Sequence, residues 1–212
     1  MIRTTKKFDT KIVMTSVLIL AIFVFSSFIF IATPSSAAAS AVIRIEPAKG
    51  HAGREVKVTG LHFTPSATVT VSIENIGGTN VASVIANSTG GFVTTFKLPA
   101  LPCVTNGCVR VILATDGTVS ATHTFTVEQQ IVSSSHTVAP GGSVTINGTG
   151  FWRNSPLVVT LGTSTLSISP TSDSSGNCSF VLSIPSTASK GATTVTVTDE
   201  TGNVASLTLH VS

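Results

Sequence analysis

The chain has no tyrosine, one tryptophan, two methionines and three cysteines, and only 10% of its 212 residues are charged. Each scarcity excludes something. Long amphipathic helices need more Glu, Lys and Leu than this sequence holds after residue 41, where Ser, Thr and Val dominate. Without tyrosine and without a cysteine pair in each half, an antibody-type domain with its disulfide and tyrosine corner is excluded. His51, His62, His123, His136 and His210 are scattered and form no H-x3-H or H-E-x-x-H pattern. No G-x-S-x-G elbow is present for a serine hydrolase. The sequence therefore predicts a protein that is not an enzyme, with no catalytic residue, no metal site and no cofactor.

The formal charge of +3 resides at one end. Residues 1–41 carry Arg3, Lys6, Lys7 and Lys11 against Asp9, while the remainder carries eight basic and eight acidic residues. The neutral remainder lacks the electrostatic footprint of a nucleic-acid binder. Directly after the basic cluster runs IVMTSVLILAIFVFSSFIFIA, residues 12–32, apolar and free of charge. Positive charge followed by such a run is an export signal, long enough to span a bilayer as a helix. Small residues from Ser36 to Ala41 offer A-x-A cleavage spacing. Residues 1–41 are read as a signal peptide or an uncleaved membrane anchor, and both readings place residues 42–212 outside the cytoplasm, secreted or membrane-anchored.

What is abundant is a repeat. Gly53, Val56, Val58, Gly60, Phe63, Val69, Val71 and Ile73 recur 88 residues later as Gly141, Val144, Ile146, Gly148, Phe151, Leu157, Val159 and Leu161. Ser88, Gly90, Phe96, Leu98 and Pro99 match Ser174, Gly176, Leu182, Ile184 and Pro185 at an offset of 86. Val111, Leu113, Ala121, Phe125 and Val127 match Val195, Val197, Ala205, Leu209 and Val211 at 84. The offset changes in turn-rich stretches, where surface loops tolerate deletions. Apolar and polar residues alternate within each copy, as in Val56-Lys57-Val58 and Thr194-Val195-Thr196-Val197, which is the period of strands with one buried face. About seven short strands per copy is the count of an immunoglobulin-like sandwich. The expected architecture is all-β: two tandem immunoglobulin-like β-sandwiches, 42–129 and 130–212, after an N-terminal hydrophobic export or anchor helix. Glu128-Gln129-Gln130 reads as a short polar linker, which predicts little apolar contact between the units and nearly independent unfolding.

The first copy opens with Ile45, Pro47, Gly50, Gly53, Val56, Val58, Gly60 and Phe63 in an I-x-P-x-x-G-x-x-G-x-x-V-x-V-x-G-x-x-F spacing. This resembles the IPT/TIG family and related prokaryotic cell-surface immunoglobulin-like repeats. The second copy, with Gly141, Val144, Ile146, Gly148 and Phe151, lacks the leading I-x-P. The resemblance implies an extracellular spacer, adhesion or binding module and supplies no catalytic residues.

Cys103 and Cys108 flank a short loop outside the membrane, where a local disulfide is the first reading; two free thiols or a zinc ligand pair are the others. Cys178 aligns with Phe92 and reads as a small core residue. Phe63 and Phe151 each cover one end of their own core. Asn87, Asn147 and Asn177 head N-x-S/T sequons and are candidate glycosylation sites. Asp173 and Asp199-Glu200 fall in Gly-Asn turns that suit hairpins, with calcium at the domain end as the alternative. The predicted role is adhesion, envelope structure or spacing. The alternative is recognition of a glycan or another surface protein by the end loops 99–108 and 149–156, with membrane contact through residues 12–32 if these are not cleaved.

Overall fold

The computed structural model describes residues 39–74, 78–104 and 108–212, and residues 39–212 form one compact unit. The export or anchor segment 12–32, the first half of the small-residue stretch from Ser36 and the tip of the Cys103–Cys108 loop lie outside the described residues. Among the described residues there is no helix long and apolar enough to cross a membrane.

The fold is all-β, with sheets in a sandwich-like arrangement. The first half contains β1 (Val42–Glu46), β2 (Lys49–Gly50), β3 (Glu55–Leu61), β4 (Thr68–Ile73), β5 (Thr79–Ile85), β6 (Phe92–Lys97), β7 (Val109–Thr115) and β8 (Ser120–Val127). The second contains β9 (Gln130–Ser133), β10 (Thr137–Val138), β11 (Ser143–Thr149), β12 (Leu157–Leu161), β13 (Ser164–Thr165), β14 (Cys178–Ser183), β15 (Gly191–Asp199) and β16 (Val204–Val211). In the first half the sheet orders are β1-β3-β6 and β2-β8-β7-β4-β5; in the second they are β9-β11-β14 and β10-β16-β15-β12-β13. The two halves thus repeat one topology, including a short parallel pairing of β2 with β8 and of β10 with β16.

Alternation in sequence becomes alternation in burial. In β3 the buried positions are Val56, Val58 and Gly60, and in β11 they are Val144, Ile146 and Gly148. One core lies around Val58, Val71, Ile112 and Phe125, the other around Ile146, Val159, Val197 and Leu209. Phe63 and Phe151 are buried in these cores, and the Phe63 ring meets Phe92 edge-on at 5.1 Å. Cys178 stands where the first copy has Phe92: Gly60 pairs with Phe92 and Gly148 with Cys178.

The repeat is out of step in one place. Val71 pairs with Ala114 and Ile73 with Ile112, whereas Val159 pairs with Val197 and Leu161 with Val195. Ile112 and Ala114 are therefore the counterparts of Val195 and Val197, not Val111 and Leu113, which are only half-buried. The hairpin from Thr198 to Val204 is one residue longer than that from Thr115 to Ser120. A one-residue slip in a period-two pattern exchanges the faces of a strand, and sequence alignment of β-branched runs does not resolve it.

Candidate functional site

The corrected register makes Asp116 the counterpart of Asp199. Asp116 directly follows β7 and Asp199 ends β15, and each carboxylate reaches across to the residue after the buried Phe. Thr64 N–H donates to Asp116 Oδ2 at 2.8 Å, and Trp152 N–H donates to Asp199 Oδ2 at 2.8 Å. Asp116 also caps its own turn by accepting from Val119 and Thr118 N–H. These bonds, that of Val119 foremost, hold its carboxyl well below the usual carboxylate range. At Asp199, burial opposes ionisation, but hydrogen bonds from the Asn203 side chain, Trp152 N–H and Thr201 outweigh it and the pKa is lowered. Sequence reasoning assigned Asp199 to its turn, with calcium at the domain end as the alternative. The long-range half of its role leaves no local pattern in the sequence that names the Trp152 N–H.

Loops 99–108 and 149–156 meet at Cys103 and at Phe151 and Trp152, while Ala100, Arg153, Asn154 and Pro156 stay exposed. Leu101, Pro102 and Cys103 are buried, Cys103 N–H donates to Phe151 O at 2.8 Å, and Cys103 forms a parallel bridge with Trp152. Trp152 is half-buried and packs against the core of the first half, although it belongs to the second. Two glycines with positive φ let the backbones approach: a Cβ on Gly150 would stand 2.7 Å from Glu128 O, and one on Gly176 would stand 2.7 Å from Pro102 Cα.

Cys103 and Cys108 are disulfide-bonded. The Gln129 Nε2 amide lies 3.0 and 3.1 Å from the two sulfurs and donates to Gly150 O at 3.1 Å. The stretch 128–130 is thus no free linker: Gln130 begins β9, and Gln129 is a polar member of the joint. A glutamine reads as solvent-exposed in sequence, yet its amide can satisfy itself at a junction lined with carbonyls and sulfur. Trp152 and Gln129 thus give the two halves both an apolar and a polar contact.

Arg110 faces the same end of the first core. It occupies an inward position of β7 with Ile112 and Ala114, and its side chain is 0% exposed. One terminal nitrogen donates to Pro102 O, the other to Val109 O at 3.3 Å, and Nε has no partner. Burial lowers its pKa. No carboxylate pairs with it among the described residues, where the ion pairs are Arg44–Glu46 and Lys49–Glu128.

The remaining predicted residues are dispersed. Asn87 is exposed, but its Oδ1 accepts from Thr89 N–H, Thr89 Oγ1–H and Gly91 N–H at 2.8–2.9 Å. Asn147 is exposed in the middle of β11, between Val132 and Ser179. Asn177 is half-buried, and its N–H donates to Asp173 Oδ1 at 2.9 Å. Asp173 and Asp199 spend their oxygens on their own turns and on Trp152, and among the described residues no group of three or more His, Cys, Asp or Glu could hold a metal ion. Cys178 is free and buried, and burial pushes its thiol up to about 11.

A shallow groove recurs beside Gly60 and Gly148. In the second half it measures about 480 Å³ and is lined by Asn147, Thr149, Asp173, Asn177 and Ser179. In the first it measures about 360 Å³ and carries the exposed apolar residues Leu61, Ile85 and Val93.

These features define an all-β sandwich-type protein with a disulfide-bearing joint. No protein-family model matches the sequence, and no curated protein matches it. Among solved structures, the adhesin InvE of Yersinia pseudotuberculosis is 14% identical over 81% of this chain and 58% of that one, with a TM-score of 0.32. Invasin, a bacterial integrin-binding protein, is 12% identical over 82% and 39%, with a TM-score of 0.35. The Bacteroides ovatus mixed-linkage glucan utilization protein SGBP-B is 16% identical over 78% and 43%, with a TM-score of 0.34. The chain thus spans less than two thirds of each, and likeness at this level carries no functional argument.

Proposed function

We propose that this is a non-enzymatic, exported surface protein whose residues 42–129 and 130–212 are tandem immunoglobulin-like domains acting as a stiff spacer in adhesion or envelope structure. The joint carries this reading. A half-buried Trp152 on the neighbouring core and a backbone bridge from Cys103 to Trp152 join the two modules, and the Cys103–Cys108 disulfide lies on the first-half side of that bridge, which suits a spacer better than a flexible tether. The basic cluster and apolar run before residue 33 support export, and the Ile45–Phe63 pattern supports an IPT/TIG-like surface repeat. The test is surface labelling: the full chain with an epitope after Ser212 is stained on intact cells. Staining only after permeabilisation overturns the reading.

A second reading is recognition of a glycan or another surface protein. Residues 102–103 and 150–152 of the end loops are taken up by the joint, so the polar groove at Asn147, Thr149 and Asp173 is the surface that favours it. Retention of the protein on a glycan array, lost in Ser179→Trp, supports this second role.

A further inference from the structure

The joint end of the first half has a counterpart in the second half, and the two differ. Where Arg110 fills the core end of the first half, the register places Thr193 in the second. There an open cleft of about 330 Å³ remains, lined by Leu161, Leu166, Pro185, Ala188, Thr193 and Val211. The first half closes the same place with Arg110, Leu101 and the bridged Cys103 and Cys108, and Trp152 packs against the hydrophobic core that includes Leu101 and both cysteines. A buried guanidinium with no carboxylate and an unpaired Nε is an expensive way to fill space, and an apolar side chain of similar volume would fill it at least as well. What Arg110 adds is direction: its terminal nitrogen donates to the carbonyl of Pro102, the residue before Cys103. Cys103 in turn gives its N–H to Phe151 and its backbone to Trp152.

We propose that Arg110 is a positioning residue for the joint, which, with the Cys103–Cys108 disulfide and Gln129, holds Pro102 and Cys103 in the one arrangement that seats Trp152 and locks the two halves together. The chain of contacts runs from the Arg110 guanidinium to Pro102 O, through Cys103 to Phe151 and Trp152, and back through Gln129 to Gly150. The lock deepens the spacer reading, since stiffness then depends on specific residues. Its test reads the joint and not the cell surface, so failure of one is distinguishable from failure of the other.

Trp152 is the sole tryptophan and there is no tyrosine, so the emission of the full chain in detergent micelles reports this joint alone. Arg110→Met keeps the volume and removes the donors. The expected result is a red-shifted Trp152 emission with severalfold greater quenching by iodide, an unchanged β-type far-UV spectrum, and a melting temperature equal to or above that of the parent. Arg110→Lys retains a donor and should keep most of the parent emission. The Cys103→Ala/Cys108→Ala double variant should show the same red shift as Arg110→Met with the β-type spectrum retained. Unchanged emission and quenching in Arg110→Met overturns the proposal. Should that variant not fold, unchanged emission in the double variant overturns it equally.

Discussion

Trp152 N–H donates to the Asp199 carboxylate at 2.8 Å across 47 residues of sequence, and Thr64 N–H makes the same bond to Asp116 in the first half. In both halves an acidic residue at a hairpin turn thereby ties down the strand connection that follows a buried Phe. In the second half alone, the residue so held is the aromatic that reaches into the neighbouring core.

Asp199→Ala should destabilise the second half by about 2–3 kcal/mol, because it removes a charged acceptor of several hydrogen bonds. The pH dependence follows from the lowered pKa. A carboxyl whose folded pKa lies below its unfolded value of about 3.9 contributes fully above that pH and loses its contribution as pH falls through the folded value. Melts from neutral to acidic pH should show a loss of stability below about pH 4 in the parent that is smaller in Asp199→Asn. Identical acid profiles would exclude Asp199 as a source of acid sensitivity.

Phe63→Ala and Phe151→Ala should each cost about 3–5 kcal/mol, as truncations of fully buried rings do. The joint changes what calorimetry should show. Phe151 O accepts from Cys103 and its neighbour Trp152 packs on the other core, so Phe151→Ala should shift the melting of both halves. Phe63 lies in the first core and pairs with Phe92. Two transitions, of which Phe151→Ala moves only one, would show that the joint does not couple them.

Peptide mapping without reduction should yield a linked Cys103–Cys108 peptide and an unlinked Cys178. A thiol with its pKa near 11 inside a core is neutral and shielded at physiological pH, so alkylation of Cys178 should require denaturant. Replacing both bridged cysteines by alanine should cost about 2 kcal/mol of stability, the entropic value for a short loop. Rapid labelling of Cys178 in the native protein would contradict its burial.

The three sequons should respond differently to substitution. Asn87 accepts three hydrogen bonds within its turn, so Asn87→Ala should cost about 1–2 kcal/mol. Asn147 is exposed on a strand face, and Asn147→Gln should stay within about 0.5 kcal/mol of the parent. If the chain is made in a secretory host that attaches N-glycans, Asn147→Gln should also remove mass from the product. Thermal melts and intact mass measure both.

The sequence by itself determined what depends on local periodicity and on position within a repeat. Alternation at Val56-Lys57-Val58 and Val144-Thr145-Ile146 was enough to name inward faces, because side chains on a strand alternate without exception outside bulges. The constant spacing from Gly60 to Phe63 and from Gly148 to Phe151 was enough to place both rings in cores, and the position of Cys178 opposite Gly148 followed from the same repeat. Loop length and location made the Cys103–Cys108 disulfide the first reading, and the structure contains it. The tertiary structure alone decided which ends meet. Gln129 looked like a linker residue, Arg110 entered only as one of eight balanced basic residues, and loops 99–108 and 149–156 looked like candidate recognition surfaces, because polarity in sequence ordinarily means contact with water. Each is instead satisfied by a partner 8 to 49 residues away: Pro102 O for Arg110, Gly150 O for Gln129, and Phe151 and Trp152 for Cys103. Such pairings depend on how two folded surfaces come together and leave no period in the chain, and a single extra residue in the Asp199–Asn203 turn was enough to shift the apparent register of β15.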